Sequence, residues 1–110
     1  MKRGDIITIA VSGDYGKPRP ALVVQADEFA AIPSVTVLRL TSDIYDEDLL
    51  RITVMPHKQN GLRIPSQICI DKAVTIPKDK IGKRIGTLDA AILKLVNRAL
   101  GIFLGLGGKV

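Results

Sequence analysis

At 110 residues with 46% hydrophobic side chains, the chain is long enough for one domain with a real core and too short for two. Two Phe, two Tyr and no Trp require an aliphatic core, one Cys rules out an internal disulfide, and one His with one Cys cannot assemble a zinc site of the usual kind. The net charge of +5 is unevenly spread, with five basic and eight acidic residues in 1–50 but eleven and three in 51–110, a split that suits one face meeting a polyanion.

The elements follow in order. Asp5 to Val11 is short, β-branched and bounded by Gly4 and Ser12-Gly13, which predicts a strand. A glycine-containing loop, Ser12 to Gly16, leads to Pro18-Arg19-Pro20, and Pro20 to Ala26 then reads as a near-continuous apolar strand buried on both faces. Each proline fixes φ near −65° and disfavours helix in the residue before it, so Arg19 sits on a stiff, extended backbone at a strand entrance. A guanidinium held there loses little entropy on gripping a phosphate, although the same residues also suit a solvated charge capping an edge strand.

Val35 to Leu40 is a third strand, and Asp43 to Asp48 an acidic loop. Arg51 to Met55 alternates as a half-buried strand ended by Pro56, and Asn60-Gly61 marks a turn. Gln67 to Ile76 carries further strand with a break near Asp71-Lys72, and Pro77 to Lys83 reads as a short helical turn. Asp89 caps a closing helix with Ile92, Val96, Ala99, Leu100 and Phe103 on one face, a stripe expected to be core. Several strands and one terminal helix, without βαβ alternation, predict a mainly β (α+β) fold, a small antiparallel SH3-like barrel. One domain over 1–106 and a flexible tail at 107–110 are expected. No leader or apolar run of membrane-spanning length is present, so the expected setting is the cytoplasm.

Taken together, Arg3-Gly4-Asp5-Ile6, Pro18 to Val24, Leu40-Thr41-Ser42, Asn60-Gly61-Leu62, Ser66-Gln67, Asp71 to Ile76 and Gly82 to Leu88 resemble the MazF/PemK family of toxins. These are the ribonuclease halves of type II toxin–antitoxin pairs. The resemblance runs nearly end to end, and its strength lies in the order and spacing of the pieces. It implies a MazF/CcdB-type barrel, a homodimer with single-stranded RNA in an interface groove, cleavage without metal or cofactor, and inhibition by a cognate antitoxin laid over the groove. It also implies catalytic roles for Arg19 and Thr41, with Asp71 as the acid–base carboxylate. Lys17, Tyr15, Ser42, Ser66 and Gln67 are the expected RNA contacts. In the PemK branch an arginine stands two residues before that aspartate. Here the position holds Cys69, and the branch's catalytic His in the first loop has no counterpart in residues 12 to 17.

RNA carries its own nucleophile, the 2′-OH. In-line attack on the adjacent phosphate leaves a 2′,3′-cyclic phosphate and a 5′-OH, and requires two proton transfers and stabilisation of one developing charge. Arg19 suits the charge, Thr41 and Ser42 offer hydroxyl donors, and Tyr15 offers a ring for stacking on a base. His57 ends a strand at no position the family uses, and Cys69 reads first as a packing cysteine. Two other functions fit the same chain: a topoisomerase-poisoning toxin of the CcdB type, and an RNA-binding barrel without catalysis.

Overall fold

A computed structural model describes residues 1–10, 17–46 and 49–107. Six strands form one antiparallel sheet: β1 (Asp5–Ile9), β2 (Arg19–Val23), β3 (Ser34–Thr41), β4 (Arg51–Val54), β5 (Ser66–Pro77) and β6 (Ile81–Thr87). Their spatial order is β4-β5-β3-β2-β1-β6, and the helix α1 (Ala90–Phe103) closes the chain. No helix among the described residues is long and apolar enough to cross a membrane.

Both faces of the sheet bury apolar side chains, as the period of two requires. Ile6, Leu22, Leu38, Ile68 and Ile70 turn to one side and pack with Val96 and Ala99 of α1. Ile7, Ile9, Ala21, Val23, Val35, Val37 and Ile76 turn to the other. This division explains the unbroken apolar runs of β1 and β2, since neighbouring residues there serve opposite cores. β2 stops at Val23 because the side-chain amide of Gln25 takes over the bonding, its Oε1 accepting from Thr36 N–H at 3.1 Å.

The expected break near Asp71-Lys72 is a register shift within one continuous strand. Leu38 faces Ala73, but Leu40 faces Ile68, so β5 spends five residues where β3 spends two. Three extra residues reverse the parity of β5. Ile68 and Ile70 point to the helix side, whereas Val74 and Ile76 point away from it. At Pro77 the sequence reading is corrected: the helical turn covers only Lys78–Lys80, and 81–87 is a strand that glycines at 82 and 86 had obscured.

The barrel is unclosed. Its outer strands β4 and β6 share no ladder, and the turn after β4 spans the gap, with Thr87 N–H donating to Gln59 O at 2.8 Å. Gly86 is required at this crossing, because a Cβ there would stand 2.3 Å from the Asn60 carbonyl carbon. Buried Asn60 pins the turn: its Oδ1 accepts from His57 N–H (3.1 Å) and Leu62 N–H (2.9 Å), and its Nδ2 donates to Met55 O (2.9 Å).

Asp89 caps α1 as expected, its Oδ1 accepting from Ala91 N–H at 2.6 Å. At the other end Gly105, with φ +71°, lets Leu106 N–H reach Gly101 O and Gly105 N–H reach Ile102 O, a Schellman closure. The stripe is corrected at one position. Val96 and Ala99 are buried, but Phe103 is 47% exposed, beside Leu104 and Leu106, which are also open to solvent. The three last residues of the expected tail, 108–110, lie outside the described residues.

Candidate nucleic-acid interface

The face of the sheet that carries Val35 and Val37 changes character toward the end of β3. The next residues of that face are Arg39 and Thr41, and opposite them stand the odd-numbered residues of the first half of β5. Ala21 of β2 pairs with Arg39, which places Arg19 and Thr41, two residues further out on each strand, at the same end of the pair. A strand face that is core at one end thus becomes a site at the other.

That end opens into a cleft of about 1490 Å³. Among the described residues, Arg19, Arg39, Arg51, Arg63, Lys72, Lys83 and Arg84 contribute seven cationic side chains to its lining, against one carboxylate, Asp43. Hydroxyls of Thr8, Thr41, Ser42 and Ser66 stand among them. The donors converge from β2, β3, β4, β5 and β6, so the strand order itself assembles the site. Such a lining suits a polyanion, and among the described residues it holds no carboxylate cage for a divalent cation. Among the described residues no group of three His, Cys, Asp or Glu is placed to hold a metal.

Arg51 is held at two points. It lies opposite Cys69 in the β4–β5 ladder, and its Nη1 donates to Leu50 O at 2.9 Å and to Asp71 Oδ1 at 2.5 Å. The hydrogen bond from Arg51 holds the Asp71 carboxyl below its ordinary value, against the opposing effect of desolvation. Lys72 Nζ lies 3.9 Å from the other carboxylate oxygen. At the opposite wall Arg84 is tied to Asp5, Nε to Oδ1 at 3.3 Å. Burial pushes the Asp5 carboxyl up, but bonds from Lys2 N–H and Arg84 outweigh it, and the net shift is downward.

Of the residues expected from sequence, Arg19, Thr41, Ser42 and Ser66 all line the cleft. Thr41 Oγ1 also accepts from Asp43 N–H at 3.1 Å, which fixes the turn beyond β3. Lys17 is exposed, two residues before Arg19, and is not part of the lining. Tyr15 lies outside the described residues. Asp71 is turned to Arg51. Gln67 is turned inward: it is 2% exposed, and its amide bonds to Tyr45 and Thr53. Its place is therefore beneath the surface, an internal brace in contrast to the expected direct contact. Cys69 both packs and borders the cleft, and burial pushes its thiol up, away from the thiolate.

Sequence reading missed Arg39, Arg51, Arg63, Lys72, Lys83, Arg84 and Tyr45. The excess of charge after residue 50 pointed to most of them collectively. Arg39 also had an individual signal, as the polar residue ending the alternation Val35, Val37, Arg39.

An open antiparallel sheet with one terminal helix and a cationic, hydroxyl-lined cleft at one end defines a nucleic-acid-directed protein. Residues 2–104 match the family described as "PemK-like, MazF-like toxin of type II toxin-antitoxin system". The chain is 44% identical over 109 residues to a probable endoribonuclease MazF of Mycolicibacterium smegmatis, covering 98% of this chain and all of that protein. It is 30% identical to the endoribonuclease EndoA of Bacillus subtilis, over 96% of each. A mycobacterial endoribonuclease solved in complex with its cognate antitoxin shares the fold, with TM-score 0.80, 22% identity and 96% of each chain covered. The chain belongs to the PemK-like, MazF-like toxin family, a family of endoribonucleases.

Proposed function

We propose that this protein is the toxin of a type II toxin–antitoxin pair, acting in the cytoplasm as a sequence-selective endoribonuclease on single-stranded RNA and so inhibiting translation and growth. The observation that carries the reading is the lining of the cleft, seven cations and five hydroxyl side chains against one carboxylate among the described residues, in a chain whose matched relatives are named endoribonucleases.

In this reading the 2′-OH attacks the adjacent phosphate in line, and the products carry 2′,3′-cyclic phosphate and 5′-OH ends. Arg19 spreads its donor fork over the non-bridging oxygens as charge develops. Thr41 and Ser42 donate hydroxyl hydrogens that hold the phosphate in register. A carboxyl with a lowered pKa is a poor base near neutrality, and an arginine is a poor acid, so water carries the protons. Asp71 then serves as a positioning residue. It orients Arg51, which adds a second fixed positive charge. The donor set calls for no metal.

The active species is a symmetric homodimer. Exposed apolar side chains on each protomer, among them Phe103, Leu104 and Leu106, favour pairing about a twofold axis. The cognate antitoxin binds as an extended acidic segment along the cationic cleft; the structures of similar fold include one solved in complex with its cognate antitoxin.

The test is to incubate purified protein with a long natural RNA and map the products and their termini. Cleavage at a repeated short sequence, with cyclic phosphate ends, is the expected outcome. Retention of intact RNA would leave a binding protein, and neither binding nor cleavage would overturn the reading.

A further inference from the structure

Tyr45 is 58% exposed, yet both its backbone N–H and its carbonyl are bonded to a buried side chain. Buried Gln67 grips it twice: Tyr45 N–H donates to Gln67 Oε1 at 2.9 Å, and Gln67 Nε2 donates to Tyr45 O at 2.8 Å. The same Nε2 reaches Thr53 Oγ1 at 3.2 Å, and the amide's orientation is set by the Tyr45 backbone, which offers one donor and one acceptor. Gln67 is itself fixed, since it pairs with Thr41 on one side and Thr53 on the other. An amide that reproduces a two-bond strand pairing is a costly way to hold a loop, because a buried Gln must satisfy every donor and acceptor. What it presents is an aromatic ring at the edge of the cationic cleft.

We propose that Tyr45 is a stacking platform for one splayed base of the bound single strand and contributes to the choice of cleavage sequence. Single-stranded RNA is recognised by unstacked bases laid on aromatic side chains, while cationic groups track the phosphates. A tyrosine has only two side-chain torsions to order, and its backbone is already ordered, so little of the stacking energy is lost on binding. The ring lines the same cleft as Arg19 and Thr41. Gln67 is the positioning residue for this platform. The inference rests on the RNA reading of the cleft.

The experiment uses the whole protein and a short random-sequence RNA carrying 2′-O-methyl groups, which blocks attack by the 2′-oxygen. Affinity is measured across a salt series for wild type, Tyr45→Ala, Tyr45→Phe, Tyr45→Trp and Gln67→Leu, with melting curves as folding controls. Tyr45→Ala should bind roughly fivefold to 150-fold more weakly. Its slope of log affinity against log salt should match wild type, because stacking releases no counterion. Phenylalanine and tryptophan should bind like tyrosine, and Gln67→Leu should lose part of the affinity at unchanged slope. Wild-type affinity in Tyr45→Ala, or a loss accompanied by a shallower slope, would overturn the platform and leave the ribonuclease reading standing. Binding that depends on Tyr45 in a protein that cleaves no natural RNA would keep the platform and overturn the ribonuclease. Failure of wild type to bind would overturn both.

Discussion

Arg51 stands opposite Cys69 across the β4–β5 ladder, and its guanidinium meets the carboxylate of Asp71, two residues further along β5. The arginine that the PemK pattern places before the aspartate on one strand is here delivered from the neighbouring strand. The departure at Cys69 removes a residue from the motif without removing the ion pair.

Asp71 should act through Arg51. Asp71→Asn keeps the shape and loses the ionic hold, so cleavage should fall by about tenfold, well short of the loss expected when an oxyanion donor is removed. Arg51→Ala should lower the salt slope of RNA affinity by about 0.7, the share of one phosphate contact on a single strand. A loss in Asp71→Asn as large as in Arg19→Ala would instead make Asp71 the base.

The same pair sets a pH dependence of stability. The folded Asp71 pKa lies below its ordinary value of 3.8, so the pair's contribution is complete above that pH and is lost as pH falls through the folded value. Asp5 follows the same sign. Melting temperatures of wild type and Asp71→Asn should therefore differ near neutrality and converge under acid conditions.

Arg19→Ala should reduce kcat by on the order of 10²–10³, with the fold intact. Arg19→Lys keeps the charge but not the bidentate geometry and should recover only part of the rate. Single-turnover cleavage with circular dichroism as a control checks both. An alanine variant that cleaves at the normal rate would reduce Arg19 to a solvated strand cap.

Thr41→Val removes a hydroxyl that serves both the cleft and the turn, since Oγ1 accepts from Asp43 N–H. Cleavage should slow, and Thr41→Ser should restore it. Equal rates for valine and threonine would confine Thr41 to the sheet.

Asn60→Ala strands two backbone N–H groups and a carbonyl that the side chain now satisfies. Each hydrogen bond lost costs about 0.5–1.5 kcal/mol net, and each kcal/mol lowers the melting temperature by about 4–8 °C in a domain near this size. Gly86→Ala should be comparably damaging, because its Cβ would collide with the Asn60 backbone. Thermal denaturation of the two variants checks both expectations.

The fold was legible wherever burial imposes a period. Ile6 and Ile7 serve opposite cores, so β1 announced itself as an apolar run, and Asp89 marked the start of α1. β6 was not legible, because Gly82 and Gly86 weaken its pattern for reasons that lie elsewhere in space: a Cβ at 82 would meet Thr8, and one at 86 would meet Asn60. Phe103 fits the helical stripe but extends beyond the sheet that buries Val96. Within the site, Arg19, Thr41, Ser42 and Ser66 were found through the resemblance. Arg51 was missed because its meaning depends on the register of β4 against β5, and the burial of Gln67 was not legible because it depends on the chain at Tyr45, which lies over it.

The unclosed edge of the sheet gives the cleft two unlike jaws. One is built on β3 and β5, which run side by side through the middle of the sheet. The other is β6, which brings Lys83 and Arg84, meets β1 through two register irregularities, and touches the far side by the Thr87–Gln59 backbone bond. Hydrogen exchange should therefore be faster along β6 than along β3. On the proposed reading, a strand of RNA lies between these two walls, one drawn from the middle of the sheet and one from its edge.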